Sequence, residues 1–381
     1  MTSPQDVTAL GDDTLGMAAA VEALPSQLEA ALDAAAGMNA SEWASDVPVS
    51  DVPVSDVPIS DVPISNVIVM GMGGSGIAGD IVAALAAPVM SAPVAVAKGY
   101  ECPAFVGPST LAIAVSFSGN TEETLEAASA AHDAGASMIA VTSGGRLADL
   151  AREWGAPLYE VDASIPMPRA AVGAISVAPL VALERAGLLS GVAGWVRAAV
   201  AQLQARQHVV AADASHAFGD GLDGLIAEVG TGELLAVFYG GGALGAVAAG
   251  RAKAQVNENA KLPAYASAMP ELCHNELAGW DLAGRLVHGS PLAVIALRHQ
   301  FEHPQIRRRY EYTRRVLGGA RIAVPYSELH AAGAGPMAQL FDLIYQVDAL
   351  SLRMAAAARR DPGPVTLLTG LKDFLADGTS A

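Results

Sequence analysis

The chain has 381 residues and a formal net charge of −17, with 22 Lys and Arg against 39 Asp and Glu. Hydrophobic residues make up 52% and aromatics 5%, so most of the chain can bury a core, and that core must be built from Ala, Val, Leu and Ile. The acidic balance speaks against nucleic acid or an anionic membrane as a partner, because its long-range field repels phosphate polymers. It leaves room for a small phosphorylated ligand held by local backbone N–H groups.

Two cysteines, Cys102 and Cys273, exclude a disulfide framework and a cysteine-built zinc site. The first residues carry neither a basic nor an apolar leader region, and no apolar run reaches the ~20 residues of a membrane span. At roughly 150 residues per domain, a soluble, cytoplasmic chain of two domains is expected.

Residues 14–37 read as Ala-rich helices broken at Pro25. Residues 45–64 repeat SDVPV twice and SDVPI twice. A proline every fifth residue forbids a helix or a central strand and predicts an extended connector. From Asn66 a regular pattern begins. The runs NVIVM, VAVA, LAIAVSFS, MIAVTS and PLYEVD read as strands, with helices between them after GMGGSG, at TEETLEAASAAHD and at RLADLAREWG. Short apolar strands alternating with helices predict βαβ units and a parallel sheet covered on both faces.

An apolar helical stretch at 170–189 closes this half. A second half restarts with ELLAVFYGGG as a strand, ALGAVAAGRAKAQVNENA as a helix, LAVIALRH as a strand and PQIRRRYEYTRRVL as a basic-faced helix. ARIAVPYS reads as a further strand, 336–360 as a long helix, and the segment around GLKDFLA as a terminal one. The expected fold class is α/β, with two doubly wound, flavodoxin-like parallel-sheet domains and flanking helices. The divisions are 1–65 for the helices and linker, 66–200 for the first domain and 201–381 for the second.

Gly71, Gly73 and Gly76 satisfy G-x-G-x-x-G between a strand and a helix, but the acid that would read a ribose is missing: the next strand ends in Ala97 and Lys98. A dinucleotide cofactor is therefore not expected. Instead, three strands of the first half end in small hydroxyl and glycine residues. These include Gly73, Gly74 and Ser75; Ser116, Ser118, Asn120 and Thr121; and Ser143. In a doubly wound sheet such ends converge on the ligand crevice. Hydroxyls and backbone N–H groups at helix starts make a neutral cradle for a phosphate monoester.

GMGGSG, SFSGNTEET and TSGG together resemble the SIS (sugar isomerase) domain, a phosphosugar-binding module. QVNENAKLPA at 255–264, CHNELAGW at 273–280 and DPGPV with Lys372 extend the likeness over about residues 66–375. That ordered set resembles the bifunctional phosphoglucose/phosphomannose isomerase family. The resemblance implies an aldose–ketose isomerase working without metal or cofactor. Glu258 would carry the proton through a cis-enediol, His274 and Lys372 would open the sugar ring, and Arg169 would offset the enediolate charge. It also implies a homodimer in which His274 serves the neighbouring subunit's site, with 170–189 and 336–358 as candidate contact faces. Whether mannose 6-phosphate is used beside glucose 6-phosphate is left open by the loose GPVTLLTG match. The competing reading is a phosphosugar sensor that keeps the cradle without turnover; a sensor has no need of Glu258, His274 and Lys372.

His299, Glu302 and His303 fit H-x-x-E-H, a metalloprotease pattern. It needs a helix to present both imidazoles on one face, and Pro304 predicts that the helix starts only after it. Cys273 has no cationic neighbour in sequence to activate it, so a structural thiol is expected.

Overall fold

The computed structural model describes residues 12–37, 63–212, 222–280, 292–319 and 324–377. The SDVPV/SDVPI repeat lies almost wholly outside them. Two helices open the chain, α1 (Met17–Glu22) and α2 (Leu24–Gly37). The first unit then runs β1 (Asn66–Met70), α3 (Gly73–Ala86), β2 (Val94–Ala97), β3 (Thr110–Val115), α4 (Glu122–Asp133), β4 (Ser137–Thr142), α5 (Gly145–Glu153) and β5 (Leu158–Glu160). Helices α6 (Val172–Arg185), α7 (Val192–Ala212) and α8 (Leu222–Gly230) lead to β6 (Leu235–Gly241) and α9 (Gly242–Gln255). The remainder is β7 (Ala264–Met269), α10 (Glu276–Gly279), β8 (Leu292–Arg298), α11 (Pro304–Gly319), β9 (Tyr326–His330), α12 (Pro336–Ala357) and α13 (Thr366–Asp377).

Both sheets are parallel. The first has the order β2-β1-β3-β4-β5 and the second β7-β6-β8-β9. The direction in which strands are added reverses between β1 and β3, and again between β6 and β8, which creates a crevice outside the carboxyl ends of those parallel strands. Alternation divides each strand between two cores. Val67 and Val69 of β1 join Ala236, Phe238 and Ile295 of the second sheet in one continuous cluster, together with α2, α6, α7 and α12. Ile68 and Met70 face the other way, onto α4 and α5. Val237, Tyr239 and Val294 face α11. Both faces of the central strands are thus buried, which is why those strands are apolar runs without polar alternation.

Three expectations need correction. AYASAM, not among the expected strands, is the edge strand β7, paired with β6 from Ala236↔Ala264 to Gly241↔Met269. Residues 320–323 of ARIAVPYS lie outside the described residues; the described strand is Tyr326–His330, which runs past the expected end at Ser327. Finally, the stretches 170–189 and 336–358 are not free faces for a second subunit. Val172 to Leu183 of α6 and most of α12 are buried within this chain's own core. A helix apolar all round must be covered, and here the two sheets and their neighbouring helices cover it.

Candidate functional site

At the carboxyl end of the first sheet, three loops are tied together by the hydroxyls expected to line a cradle. Phe117 N donates to Ser75 Oγ (2.9 Å), and Ser143 Oγ donates to Phe117 O (2.5 Å). Buried Ser116 donates through Oγ to Thr121 Oγ1 (3.0 Å). Asn120 Oδ1 accepts from Arg146 N (3.0 Å), and Asn120 Nδ2 donates to Ser118 O (3.2 Å). The loops meet so closely at Gly119, φ 69°, that a Cβ there would lie 1.8 Å from Gly144 O. Ser75, Ser116 and Ser143 therefore act largely on the protein itself. Gly73, Ser118 and Asn120 are exposed, while Gly74 and Thr121 are half-buried. Helices α3, α4 and α5 start around this rim, and their N-terminal N–H groups favour an anion.

Gly74 joins this cradle to the second group of residues. A Cβ at that position would fall 2.7 Å from Arg169 N, so only glycine lets the start of α3 approach the Pro168–Ala171 turn. Arg169 is 2% exposed. Its Nε donates to Asn259 Oδ1 (2.9 Å), Nη2 to Pro362 O (2.5 Å) and Gly363 O (2.7 Å), and Nη1 to Glu258 Oε2 (3.4 Å). The NENA segment supplying Glu258 and Asn259 is a π-helical turn, Val256–Ala260, continuing α9. Such turns insert an extra residue into a helix and recur at functional sites.

Each residue of N-E-N has a separate task. Asn257 Nδ2 holds Leu262 O at 2.8 Å. Buried Asn259 bridges Arg169 and Ser351 Oγ (2.9 Å). The Glu258 side chain stays 25% exposed, so its carboxylate can reach a ligand. The turn ends at Lys261, in the left-handed region at φ 59°. Its Nζ donates to Glu258 O (2.5 Å), Asn259 O (3.4 Å) and Pro362 O (3.2 Å). Partial burial, then the Arg169 charge, push the Lys261 ammonium down to about 8.

Below the pair lies a polar ring that the sequence reading missed. Arg251 donates through Nε and Nη2 to the two oxygens of Asp348 (2.8 and 2.5 Å), and its Nη2 also reaches Arg169 O (2.9 Å). Gln255 Nε2 donates to Asp348 Oδ1 (2.9 Å), and Ser351 Oγ to Asp348 O (2.7 Å). Asp348 is fully buried, which pushes its carboxyl up, while the Arg251 charge and these hydrogen bonds favour its ionised form. A ring running Arg169, Asn259, Ser351, Asp348, Arg251 and back thus locks the guanidinium to α12. No single motif signals it: its members are spread from 169 to 351.

The chain brings Arg169 and Glu258 together, but not the other two expected catalytic residues. His274 ends the Glu271–His274 turn and is exposed. Lys372 is exposed on α13. Among the described residues, neither makes a hydrogen bond or an ion pair with Glu258. The H-x-x-E-H residues form no metal centre. His299 is buried with Nε2 on Gly241 O (2.8 Å), Glu302 pairs with Arg298 (2.9 Å), and His303 is exposed ahead of α11. No group of three or more His, Cys, Asp or Glu able to hold a metal occurs among the described residues, nor is any of their helices long and apolar enough to cross a membrane.

The arrangement is a set of hydroxyl-rich loops at the starts of α3, α4 and α5 leading to a carboxylate beside a buried guanidinium, on two doubly wound units. Its class is that of the SIS domain. A model of that domain matches residues 63–156, and one of the bacterial phospho-glucose isomerase C-terminal SIS domain matches residues 226–375.

Relatives refine the assignment. A bifunctional phosphoglucose/phosphomannose isomerase of Caldicellulosiruptor bescii is 31% identical over 285 residues, 74% of this chain and 81% of its own. One of Aquifex aeolicus is 29% identical, covering 74% and 80%. The chain belongs to the bifunctional phosphoglucose/phosphomannose isomerase family and is an isomerase. The fold extends to solved structures of low identity. A hypothetical protein from Thermus thermophilus has TM-score 0.71 at 12% identity, covering 99% of this chain and 94% of that one. The tagatose-6-phosphate ketose/aldose isomerase from Escherichia coli has TM-score 0.57 at 18%, covering 79% and 85%.

Proposed function

We propose that this isomerase interconverts fructose 6-phosphate with glucose 6-phosphate, and with mannose 6-phosphate as the names of its relatives suggest. The observation that carries the reading is the Arg169–Glu258 pair beside Gly74. It supports the reading because a carboxylate that could exchange a proton, and a cation that could meet developing negative charge, would then lie next to the loops proposed to hold the phosphate. The phosphate monoester would sit at the rim formed by Gly73, Ser118, Asn120 and Thr121. Glu258 would take the proton from C2 of the open-chain aldose and return it to C1 of the cis-enediol. Arg169 would stabilise the enediolate oxygen as charge develops on it.

Ring opening needs an acid and a base at the ring oxygen and the anomeric hydroxyl. His274 and Lys372 take these roles in our reading, and their exposure suits delivery from a second copy of the chain in a homodimer with composite sites. The test is a coupled assay starting from fructose 6-phosphate in deuterated water, with glucose and mannose 6-phosphate read out separately. Formation of either aldose, with solvent deuterium at C2, is expected for the wild type and lost in Glu258→Gln. Tight binding of the sugar phosphate without any aldose formed would overturn the reading in favour of a sensor.

A further inference from the structure

We propose that Glu276 is a positioning residue for His274, a role that rests on the isomerase reading above. His274 is exposed, and among the described residues its imidazole has no partner to orient it. Its direction is therefore set by the backbone on either side. On one side, Leu272 is buried and Cys273 N donates to Pro270 O (3.1 Å). On the other side stands Glu276, whose two carboxylate oxygens are both engaged. Tyr239 Oη donates to Oε1 and Ser267 Oγ donates to Oε2.

Tyr239 belongs to the central strand β6 and Ser267 to β7, so the carboxylate bolts the turn onto two strands. The phenol also accepts from Trp280 Nε1 (2.9 Å), so both ends of the four-residue α10 converge on one buried tyrosine. Asn275 Oδ1 accepts from Glu276 N, and Asn275 Nδ2 donates to Glu271 Oε1 (3.1 Å). The segment from Pro270 to Trp280 is thus held at several points while the histidine between them projects outward. An acid with only a solvation role has no reason to spend both oxygens on hydroxyl donors from the sheet; charge-assisted bonds of this kind fix orientation. Burial, reinforced by Glu276, keeps the Tyr239 phenol protonated and donating.

The chemistry also says which substitution preserves the clamp. Glutamine can accept from Tyr239 through its carbonyl and donate to Ser267, whose hydroxyl is free to turn. Alanine leaves the phenol and the serine without their acceptor.

The experiment compares steady-state isomerisation of fructose 6-phosphate by wild type, Glu276→Ala, Glu276→Gln, His274→Ala and the double variant Glu276→Ala/His274→Ala. Misplacing a reacting group by about an ångström costs on the order of 100-fold, so Glu276→Ala should lose roughly 10- to 100-fold in kcat with little change in KM. Glutamine should restore most of that loss, and the double variant should be no slower than His274→Ala alone. Losses that multiply in the double variant, or a raised KM with kcat kept, would overturn the assignment. Should Glu276→Ala fail to fold, Tyr239→Phe and Ser267→Ala, each removing one donor to the same carboxylate, take its place in the comparison. Wild-type inactivity, or a His274→Ala enzyme as fast as wild type, would sink the catalytic role of His274 itself and this inference with it. A slow His274→Ala enzyme beside an unimpaired Glu276→Ala one would sink the positioning role alone.

Discussion

Arg169 meets Glu258 at 3.4 Å, while its other hydrogen bonds go to neutral acceptors, the Asn259 amide and the carbonyls of Pro362 and Gly363. The guanidinium is therefore fixed in place without being neutralised. A close bidentate carboxylate would have consumed its charge; Asp348, which could have done so, is taken by Arg251. On the proposed mechanism, a buried cation with charge left over is what the developing enediolate needs.

Arg169→Lys should accordingly fail as a conservative change. An ammonium cannot reproduce the fork that binds Asn259 and two carbonyls while pointing at Glu258. Losing one such preorganised donor costs about 100- to 1,000-fold in kcat. Steady-state kinetics on fructose 6-phosphate should show that loss with KM changed much less. A lysine enzyme within a few-fold of wild type would place the charge stabilisation elsewhere.

The cradle hydroxyls should divide by what they hold. Ser118 is exposed and Thr121 half-buried at the start of α4, whereas Ser143 spends its hydroxyl on Phe117 O. Ser118→Ala and Thr121→Ala should raise KM more than they lower kcat, since a hydrogen bond to a charged group is worth roughly 1.5–3 kcal/mol. Ser143→Ala should instead lower unfolding stability by about 1 kcal/mol, the usual net value of such a bond. Thermal melts beside kinetics would separate the two. Equal KM in all three variants would move the phosphate away from these loops.

The strands were legible where they are central. NVIVM, TLAIAV and LAVIALR are apolar runs because both faces are covered, and the periodicity of burial reads straight from the residues. AYASAM escaped notice because it is an edge strand with half-exposed small residues, and the strand at the opposite edge was read only as far as Ser327 because its continuation, Glu328 to His330, is polar. Glu258 and the loops proposed to form the cradle could be singled out because each belongs to a contiguous motif. The ring through Arg251, Asn259, Ser351 and Asp348 was not, since each residue alone reads as an ordinary helix polar group. Nor could the sequence say whether the apolar α6 and α12 are covered by their own chain or by a partner. The low aromatic content bears on that: with few large side chains, whole Ala-rich helices must fill the space between the sheets.

That ring predicts a stability effect larger than any surface pair. Asp348 and Arg251 are both buried, with Nη2 and Oδ2 2.5 Å apart. Removing one partner leaves an uncompensated buried charge, which costs about 3–5 kcal/mol. Arg251→Met should therefore lower the urea midpoint strongly, whereas Arg152→Met, whose Asp149 and Glu160 contacts are exposed, should change it by less than about 1 kcal/mol. Similar midpoints for the two variants would show that the buried ring contributes no more than a surface pair.

Acid should weaken the second unit through His299. Its Nε2 hydrogen-bonds Gly241 O, its Nδ1 is buried without a partner among the described residues, and burial lowers its proton affinity below the ordinary value of 6.5. As pH falls through 6.5, the unfolded chain takes up a proton that the folded one resists. Folding stability is therefore lost on the acid side of that value, and the contribution is complete above it. Urea midpoints at about pH 7.5 and about pH 5.5 should differ less in His299→Gln than in wild type. An identical acid loss in both proteins would assign it to other groups.

The last prediction concerns which copy of the chain supplies His274. Glu258 lies in the π-helical turn against Arg169, whereas His274 lies beyond the whole of β7, exposed, on a turn clamped to β6 and β7. Parallel pairing of β7 with β6 fixes that strand and with it the distance the histidine keeps from the π-helical turn. Lys372 is likewise exposed, on a helix whose Leu367, Leu371 and Phe374 face solvent in the single chain. If two copies exchange these groups, Glu258→Gln and His274→Ala, each strongly impaired alone, should complement when mixed. In a heterodimer one site receives both defects and the other regains both native groups. Random exchange makes half of the dimers mixed, with one good site in two, so about a quarter of the wild-type activity should return. No recovery, with subunit exchange verified by differently tagged chains, would mean that the histidine acts within its own chain.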